Sequence, residues 1–354
     1  MKKEHLIGVD LFSGAGGMSL GASEAGIKVK YAVEKDKYAA ETYKYNHKET
    51  IVINDDICNI NDLSLGRRRS PVIVFGGPPC QGFSTSNRRT KNCENKQNWL
   101  YKEFVRIVRN IEPDWVVLEN VTGLLEMEKG FFFQAILSDL SDSGYECSYM
   151  TLLATDFGVP QKRSRLFVIG SRQGKKIRID KIEKFPPITV EEAISDLPVL
   201  ANGARIDILP YAHPAQNKYA ESLRKCLDVC SGNLVSKNAD YVIERYKFVH
   251  QGENWKAIPK ELMQNYVDRS RCHTGIYYRL QKNMPSVVIG NYRKNMLIHP
   301  EQDRGLSVRE AARIQSFPDW YRFMGSIGFQ QQQVGNAVPP LLAKAVFERI
   351  IQES

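Results

Sequence analysis

The segment Leu6-Ile7-Gly8-Val9-Asp10-Leu11-Phe12-Ser13-Gly14-Ala15-Gly16-Gly17-Met18-Ser19-Leu20-Gly21 decides how the chain reads. An apolar run of strand length breaks into a glycine-rich turn, and a helix-compatible stretch follows to about Ala25. Glycines at such a junction let the backbone turn sharply and approach a ligand closely. A dinucleotide fingerprint would carry glycine where Ser19 stands, which argues against a pyrophosphate cradle. Further along, strand-like runs at Val29–Val33, Ile51–Ile53, Pro71–Phe75, Trp115–Leu118 and Leu166–Ile169 alternate with helical periodicity at Ala39–Tyr45, Leu100–Ile111 and Phe131–Leu140. That alternation implies an α/β fold, a mostly parallel sheet covered on both faces.

The strand ends carry the chemistry. Glu34 closes the second strand, 20 residues after Gly14, where a carboxylate can accept hydrogen bonds from ribose hydroxyls. Asp56 closes the third, where a carboxylate can accept from an adenine amino group. Ligands of open parallel sheets lie outside the carboxyl ends of the strands, so these ends together point to an adenosine-containing cofactor. The fourth strand runs into Gly76-Gly77-Pro78-Pro79-Cys80-Gln81-Gly82-Phe83-Ser84. Two prolines flanked by glycines hold a thiol at a sheet edge, and a thiolate is a strong nucleophile. Trp115-Val116-Val117-Leu118-Glu119-Asn120-Val121 ends an apolar strand on a carboxylate, where an idle buried charge would cost free energy and general-acid duty is the better use. No histidine lies near Cys80 in sequence, so a Cys–His hydrolase gains no support.

After about Gly170 the texture changes. Residues 171–184 are rich in Lys and Arg, Pro186-Pro187 follows, and a long polar region runs on until helical patterning returns at Ser307–Gln315 and Pro339–Ile351. The 354 residues carry 49 Lys plus Arg against 40 Asp plus Glu, so 49 − 40 leaves +9, a balance that suits a polyanionic partner. The seven cysteines are irregularly spaced and complete no zinc site, which reads as free thiols in a reducing compartment and no bound metal. No run of about 18 apolar residues exists to span a membrane, and the first ten residues do not form a signal peptide.

In order along nearly the whole chain, Asp10–Gly21, Glu34, Asp56-Ile57, Gly76–Ser84, Glu119-Asn120-Val121, Gln161-Lys162-Arg163-Ser164-Arg165, Arg304–Asp319 and Gln333–Pro340 resemble the motifs of the cytosine-5 DNA methyltransferases of the bacterial modification type. The resemblance implies a Rossmann-like S-adenosylmethionine-dependent methyltransferase fold with a smaller target-recognition domain. It places the catalytic and cofactor-binding part at 1–178 plus 327–354, and recognition domain and hinge at 179–326. It implies Cys80 as the nucleophile toward carbon 6 of cytosine, Glu119 as the group facing ring nitrogen 3, Arg165 on the base carbonyl and Arg163 in support. The methyl donor would be S-adenosylmethionine, held by Phe12, Ser13, Gly14, Gly16, Gly17, Glu34, Asp56, Ile57, Pro78, Leu100 and Asn336. Lys35 departs from the pattern, which often has an apolar or aromatic residue beside the adenine; its alkyl stem could cover the ring.

The target base must be flipped out of duplex DNA to be reached. Basic and aromatic clusters suited to a nucleic-acid face stand at Lys218-Tyr219, Arg224-Lys225, Arg245-Tyr246-Lys247, Arg269–Arg271 and Tyr292-Arg293-Lys294, whereas Arg67-Arg68-Arg69 reads as a solvated loop. The family's Thr–aliphatic pair finds its nearest match in Val287-Val288-Ile289, and Val288 lacks the hydroxyl, leaving Ser286 or a backbone amide for that contact. The expected setting is a cytoplasmic, DNA-associated bacterial monomer, paired with a cognate restriction endonuclease that forms no stable complex with it. Two other readings stand beside it: a tRNA cytosine-5 methyltransferase, against which Cys272-His273-Thr274 departs from that branch's tripeptide, and a catalytically idle DNA-binding regulator, against which Cys80, Glu119 and Arg165 are all intact.

Overall fold

The computed structural model describes residues 5–66, 70–79, 99–178, 184–266, 273–290, 292–294 and 296–354. Cys80, the segment Gln81–Ser84, Arg67–Arg69 and Arg269–Arg271 therefore lie outside the described residues. The chain divides into two compact units. One comprises 1–157, 164–184 and 340–354; the other comprises 158–163 and 185–339.

The first unit is built on a seven-stranded sheet. Its strands are β1 (Ile7–Leu11), β2 (Lys28–Val33), β3 (Ile51–Ile53), β4 (Val72–Gly76), β5 (Trp115–Asn120), β6 (Glu146–Leu153) and β7 (Ser164–Ser171), in the spatial order β3-β2-β1-β4-β5-β7-β6. β3, β2, β1, β4 and β5 pair in parallel. β7 then lies antiparallel to β5, and β6 antiparallel to β7. The expected mostly parallel sheet is present, and the reversal at β7 brings the start of β7 to the carboxyl end of β5. The helices α1 (Gly17–Glu24), α2 (Lys37–Asn46), α3 (Tyr101–Ile111) and α4 (Phe131–Ser141) fall within two residues of their expected positions. α3 forms because Phe104, Val105, Val108 and Ile111 repeat at helical spacing, and that stripe is buried with Val9, Leu11, Val74, Val116, Leu118 and Phe132. At roughly 1.5–3 kcal/mol per fully buried large apolar side chain, this cluster is a principal source of the unit's cohesion.

β6 escapes the sequence pattern because it is an edge strand. Tyr149, Thr151 and Leu153 are exposed, alternating with buried Met150 and Leu152, and its first half is polar. The C-terminal helix, Pro340–Glu353, packs onto α1 in the same unit. Gly21 allows this close approach: a Cβ there would sit 2.5 Å from the Pro340 carbonyl oxygen and 2.6 Å from the Lys344 nitrogen.

The second unit carries short helices, α5 (Val190–Ile194), α6 (Lys218–Arg224), α7 (Asp240–Tyr246), α8 (Val308–Ile314) and α9 (Ile327–Asn336). α8 lies inside the expected helical stretch and begins with a capping box, Ser307 accepting from the Glu310 N–H while the Glu310 carboxylate accepts from the Ser307 N–H. Its charged side chains point inward. Arg313 donates to Asp196 at 2.8 Å and to both oxygens of Asp319 at 2.8 and 2.6 Å, and Tyr211 donates to Asp319 at 2.6 Å. Arg309 donates to the carbonyls of Ser231, Pro318 and Tyr321. Arg304 holds Glu310 in a two-pronged pair at 2.9 and 2.6 Å. Buried charges are tolerated at such density because each is paired and hydrogen-bonded. A separate apolar cluster in this unit joins Val242, Tyr246, Val249, Trp255, Ile258, Met263, Tyr277 and Ile298.

Candidate active site

The glycine-rich turn after β1 is shaped by backbone conformations that only a committed loop adopts. Phe12 has φ 58, Gly14 φ 53 and Gly16 φ 86. A non-glycine residue in the left-handed region costs free energy and marks a constrained site. The turn is tied to the end of β2: the Gly14 N–H donates to Glu34 Oε2 at 2.8 Å, and the Asp36 N–H to Glu34 Oε1 at 2.7 Å. Burial pushes the Glu34 carboxyl above its ordinary range, partly offset by those two donors. Beneath the turn, Tyr43 donates to Ser19 and Ser19 to Asp10, both at 2.6 Å, and all three side chains are buried. Gly17 opens α1. Ser13 is buried, and its Oγ meets no hydrogen-bond partner among the described residues.

Asp56 stands at the end of β3 and caps the short turn Ile57–Asn59 through the Cys58 N–H. Lys35 Nζ donates to its other oxygen at 2.6 Å, and these contacts hold the Asp56 carboxyl down at about 2. The departure at Lys35 therefore has a physical consequence: its ammonium is committed to the residue expected to meet the adenine. Ile57 is buried, and Leu100 is half-buried at the start of α3. The arrangement fits a nucleoside with a charged tail. It offers a carboxylate at each of two neighbouring strand ends, glycine backbone at the first turn, and an orphaned buried hydroxyl at Ser13.

At the carboxyl end of β5, Glu119 meets Arg165 at the start of β7. Arg165 Nε lies 2.8 Å from Glu119 Oε1, with both side chains largely buried. In the register of the two strands Glu119 faces Phe167, so Arg165 reaches it diagonally across the pair. Burial lowers the Arg165 pKa while the carboxylate raises it, and burial dominates. Arginine still keeps its charge in such a setting. The other carboxylate oxygen, Oε2, lies over Gly77, where a Cβ would come within 2.8 Å of it. Asn120 completes the support: its Nδ2 donates to the Pro78 carbonyl at 3.2 Å and its Oδ1 accepts from the Val121 N–H. The end of β5 thus holds the buried Pro78, two residues before position 80. Sequence reasoning gave site roles to Glu119, Arg165 and Pro78, whereas Gly77 and Asn120 were named only within the Gly76–Ser84 and Glu-Asn-Val strings.

In the second unit, Arg163 is 1% exposed and its Nη1 donates to the Gly335 carbonyl at 3.0 Å. Asn336, the last residue of α9, is exposed. Val288 is 46% exposed, whereas Ser286 is buried and its hydroxyl is committed to the Val287 carbonyl, so it is not presented to a phosphate. The basic–aromatic clusters need correction. Tyr219 is buried with its hydroxyl on the Arg313 carbonyl, Tyr246 and Tyr292 are buried, and Arg245 is a core residue that donates to the Leu262 carbonyl, the Tyr277 hydroxyl and Asn265. Arg224 lies over the Tyr211 ring at 3.7 Å. The reason lies in helical spacing: Val242, Arg245 and Tyr246 share one inward face of α7. Lys218, Lys225, Lys247, Arg293 and Lys294 remain as exposed cations.

The sequence profile of C-5 cytosine-specific DNA methylase matches residues 6–352. Type II methyltransferase M.DdeI of Desulfomicrobium norvegicum is 35% identical, covering 97% of this chain and 88% of its own length. Type II methyltransferase M1.HphI of Haemophilus parahaemolyticus is 37% identical, covering 97% and 86%. Among solved structures, an E. coli protein described as a DNA modification methyltransferase encoded within a prophage superposes with a TM-score of 0.79 at 28% identity, covering 98% of this chain and 99% of its own.

Proposed function

The chain belongs to the C-5 cytosine-specific DNA methylase family and is a DNA (cytosine-5-)-methyltransferase, and from that premise we propose how its own residues carry out the reaction. The substrate is a cytosine flipped out of a specific duplex sequence. When bound, S-adenosylmethionine supplies an electrophilic methyl group. The Cys80 thiolate adds to carbon 6, forming a carbon–sulfur bond and pushing the ring's electrons toward carbon 5 and nitrogen 3. Glu119, steadied by Arg165, donates from its protonated carboxyl to nitrogen 3 through the oxygen that lies over Gly77. Arg165 holds the base carbonyl as charge develops on the ring. Carbon 5 takes the methyl group as the bond from methyl to the sulfonium sulfur breaks, leaving a neutral thioether. Carbon 5 then gives up its proton to solvent water, and the pair left behind restores the double bond and expels the Cys80 thiolate.

Phe12, Ser13, Gly14, Gly16, Gly17, Glu34, Asp56, Ile57, Pro78, Leu100 and Asn336 are the residues assigned to the methyl donor. The Glu34 carboxylate takes the ribose hydroxyls and Asp56 the adenine edge. Target recognition belongs to the region 179–326, and the catalytic part to 1–178 with 327–354. No helix among the described residues is long and apolar enough to cross a membrane; the setting we propose is the bacterial cytoplasm, as a monomer alongside a cognate endonuclease with which it forms no stable complex.

The observation that carries the reading is the Glu119–Arg165 pair set against the Gly77-Pro78 segment that leads into Cys80. Fluorine at carbon 5 cannot leave as a cation, so duplex DNA carrying 5-fluorocytosine at the target should trap a covalent complex only when S-adenosylmethionine is present. It should survive denaturing electrophoresis and map to Cys80. No adduct on a verified substrate sequence, or an adduct on another cysteine, overturns the mechanism.

A further inference from the structure

The end of α9 is held by side chains. The last carbonyls of a helix have no partner within it and must find one elsewhere. Gln315, fully buried just past α8, donates its Nε2 to the Val334 carbonyl at 2.8 Å and to the Ala337 carbonyl at 3.3 Å. Its Oε1 accepts from Gln161 Nε2 at 2.9 Å, and Gln161 Oε1 in turn accepts from the Ile289 N–H at 3.2 Å. Arg163 takes the carbonyl between them, that of Gly335, at 3.0 Å. On the far side Gly335 abuts Gly290 so closely that a Cβ at position 335 would fall 2.0 Å from the Gly290 oxygen. The backbone on both sides of Asn336 is therefore fixed from several directions, while Asn336 itself is exposed.

A buried primary amide is a costly way to fill space. Its donors and acceptor must all be met, whereas methionine or leucine would occupy a similar volume without that demand. Here the amide meets carbonyls on either side of one exposed polar residue. We propose that Gln315, together with Arg163, is a positioning residue for Asn336, presetting that side chain for the methyl donor so that cofactor affinity depends on a residue that does not touch the cofactor. The proposal rests on the reading of Asn336 as a cofactor contact. Preorganisation of this kind is sensitive to displacements well under the size of an atom.

A double-mutant cycle on the full-length protein separates the two claims. S-adenosylmethionine affinity is measured calorimetrically without DNA for wild type, Gln315→Met, Asn336→Ala and the double variant. Each single change should weaken binding about tenfold, and the double variant should be no weaker than Asn336→Ala within about twofold, because both remove one interaction. For Gln315→Met, KM for duplex DNA and kcat at saturating cofactor should stay within about threefold of wild type, a split that general loosening of the fold would not produce. Should Gln315→Met not fold, Gln315→Asn, whose shorter amide stays polar but cannot span both carbonyls, runs the same cycle. Wild-type affinity in the Gln315 variant, or additive losses near a hundredfold, overturns the positioning role while leaving Asn336 in place. Wild-type affinity in Asn336→Ala instead removes Asn336 from the cofactor set, and the proposal falls with it.

Discussion

Arg165 reaches Glu119 diagonally across an antiparallel strand pair, Nε to Oε1 at 2.8 Å, although the rest of the sheet on the other side of β5 runs parallel. The pair exists because β7 starts where β5 ends. A parallel β7 would have put its first residues at the amino end of β5.

Arg165→Lys should therefore slow the chemical step while sparing the cofactor. Lysine keeps a charge but offers a point donor in place of the planar fork. Single-turnover rates are expected to fall by about a hundredfold, the scale of losing one preorganised donor. Calorimetric affinity for S-adenosylmethionine should stay within a few-fold. An unchanged single-turnover rate would sink the assignment.

Two glycine substitutions should fail in opposite ways. Gly77→Ala places a methyl 2.8 Å from Glu119 Oε2, the far end of a side chain that can swing aside. The fold tolerates that and the acid moves, so kcat drops while the melting temperature holds. Gly21→Ala meets the backbone of Pro340 and Lys344, which cannot yield. Overpacking of this kind costs about 1–3 kcal/mol, read as a lowered melting temperature. If Gly77→Ala lowered the melting temperature as much as Gly21→Ala did, the distinction would collapse.

His299 predicts a pH dependence of stability. Its Nδ1 accepts from the Glu301 and Gln302 N–H groups at 3.1 and 3.2 Å, so the ring is neutral in the fold, and burial lowers its pKa from 6.5 to about 4. The unfolded chain binds the proton more tightly. This group's contribution is thus whole above pH 6.5 and diminishes as pH falls from there toward 4. Denaturant titrations across that range should show a shallower decline for His299→Gln than for wild type. Parallel declines would mean that other groups control it.

Binding to duplex DNA should weaken steeply with salt, since cations such as Lys218, Lys225, Lys247, Arg293 and Lys294 are exposed in the second unit and would displace condensed counterions. A plot of log K against log salt with a slope near zero would contradict an electrostatic footprint.

Much of the first unit was legible because its strands β1 to β5 are apolar and its helices periodic. β6 was not, since an edge strand with Glu146, Tyr149, Thr151 and Leu153 facing outward lacks a clean apolar alternation. The direction of β7 is a property of pairing, which no local pattern encodes. In the site, Glu119 could be found because strand ends concentrate chemistry, and Arg165 because Gln161–Arg165 resembles a family motif. Gln161 and Gln315 stood only inside the quoted Gln161–Arg165 and Arg304–Asp319 strings, and their pairing could not be read because they are 154 positions apart. Charge misled most in the second unit. Arg245, Arg309 and Arg313 contribute to a basic composition, yet each is under 5% exposed and pairs inward.

The short piece 158–163 has a practical bearing on protein engineering. It stands apart in sequence from the rest of the second unit yet belongs to that unit, with Pro160 and Lys162 bonded to Ser286, Gln161 to Gln315 and Arg163 to Gly335. A chimera that grafts a relative's second unit at residues 185 and 339 would keep the host's 158–163 and ask it to mate with strangers. Those grafts should yield insoluble or sluggish enzymes. Cassettes transplanted along with the donor's own six residues at 158–163 should retain the junction, and with it a working hybrid.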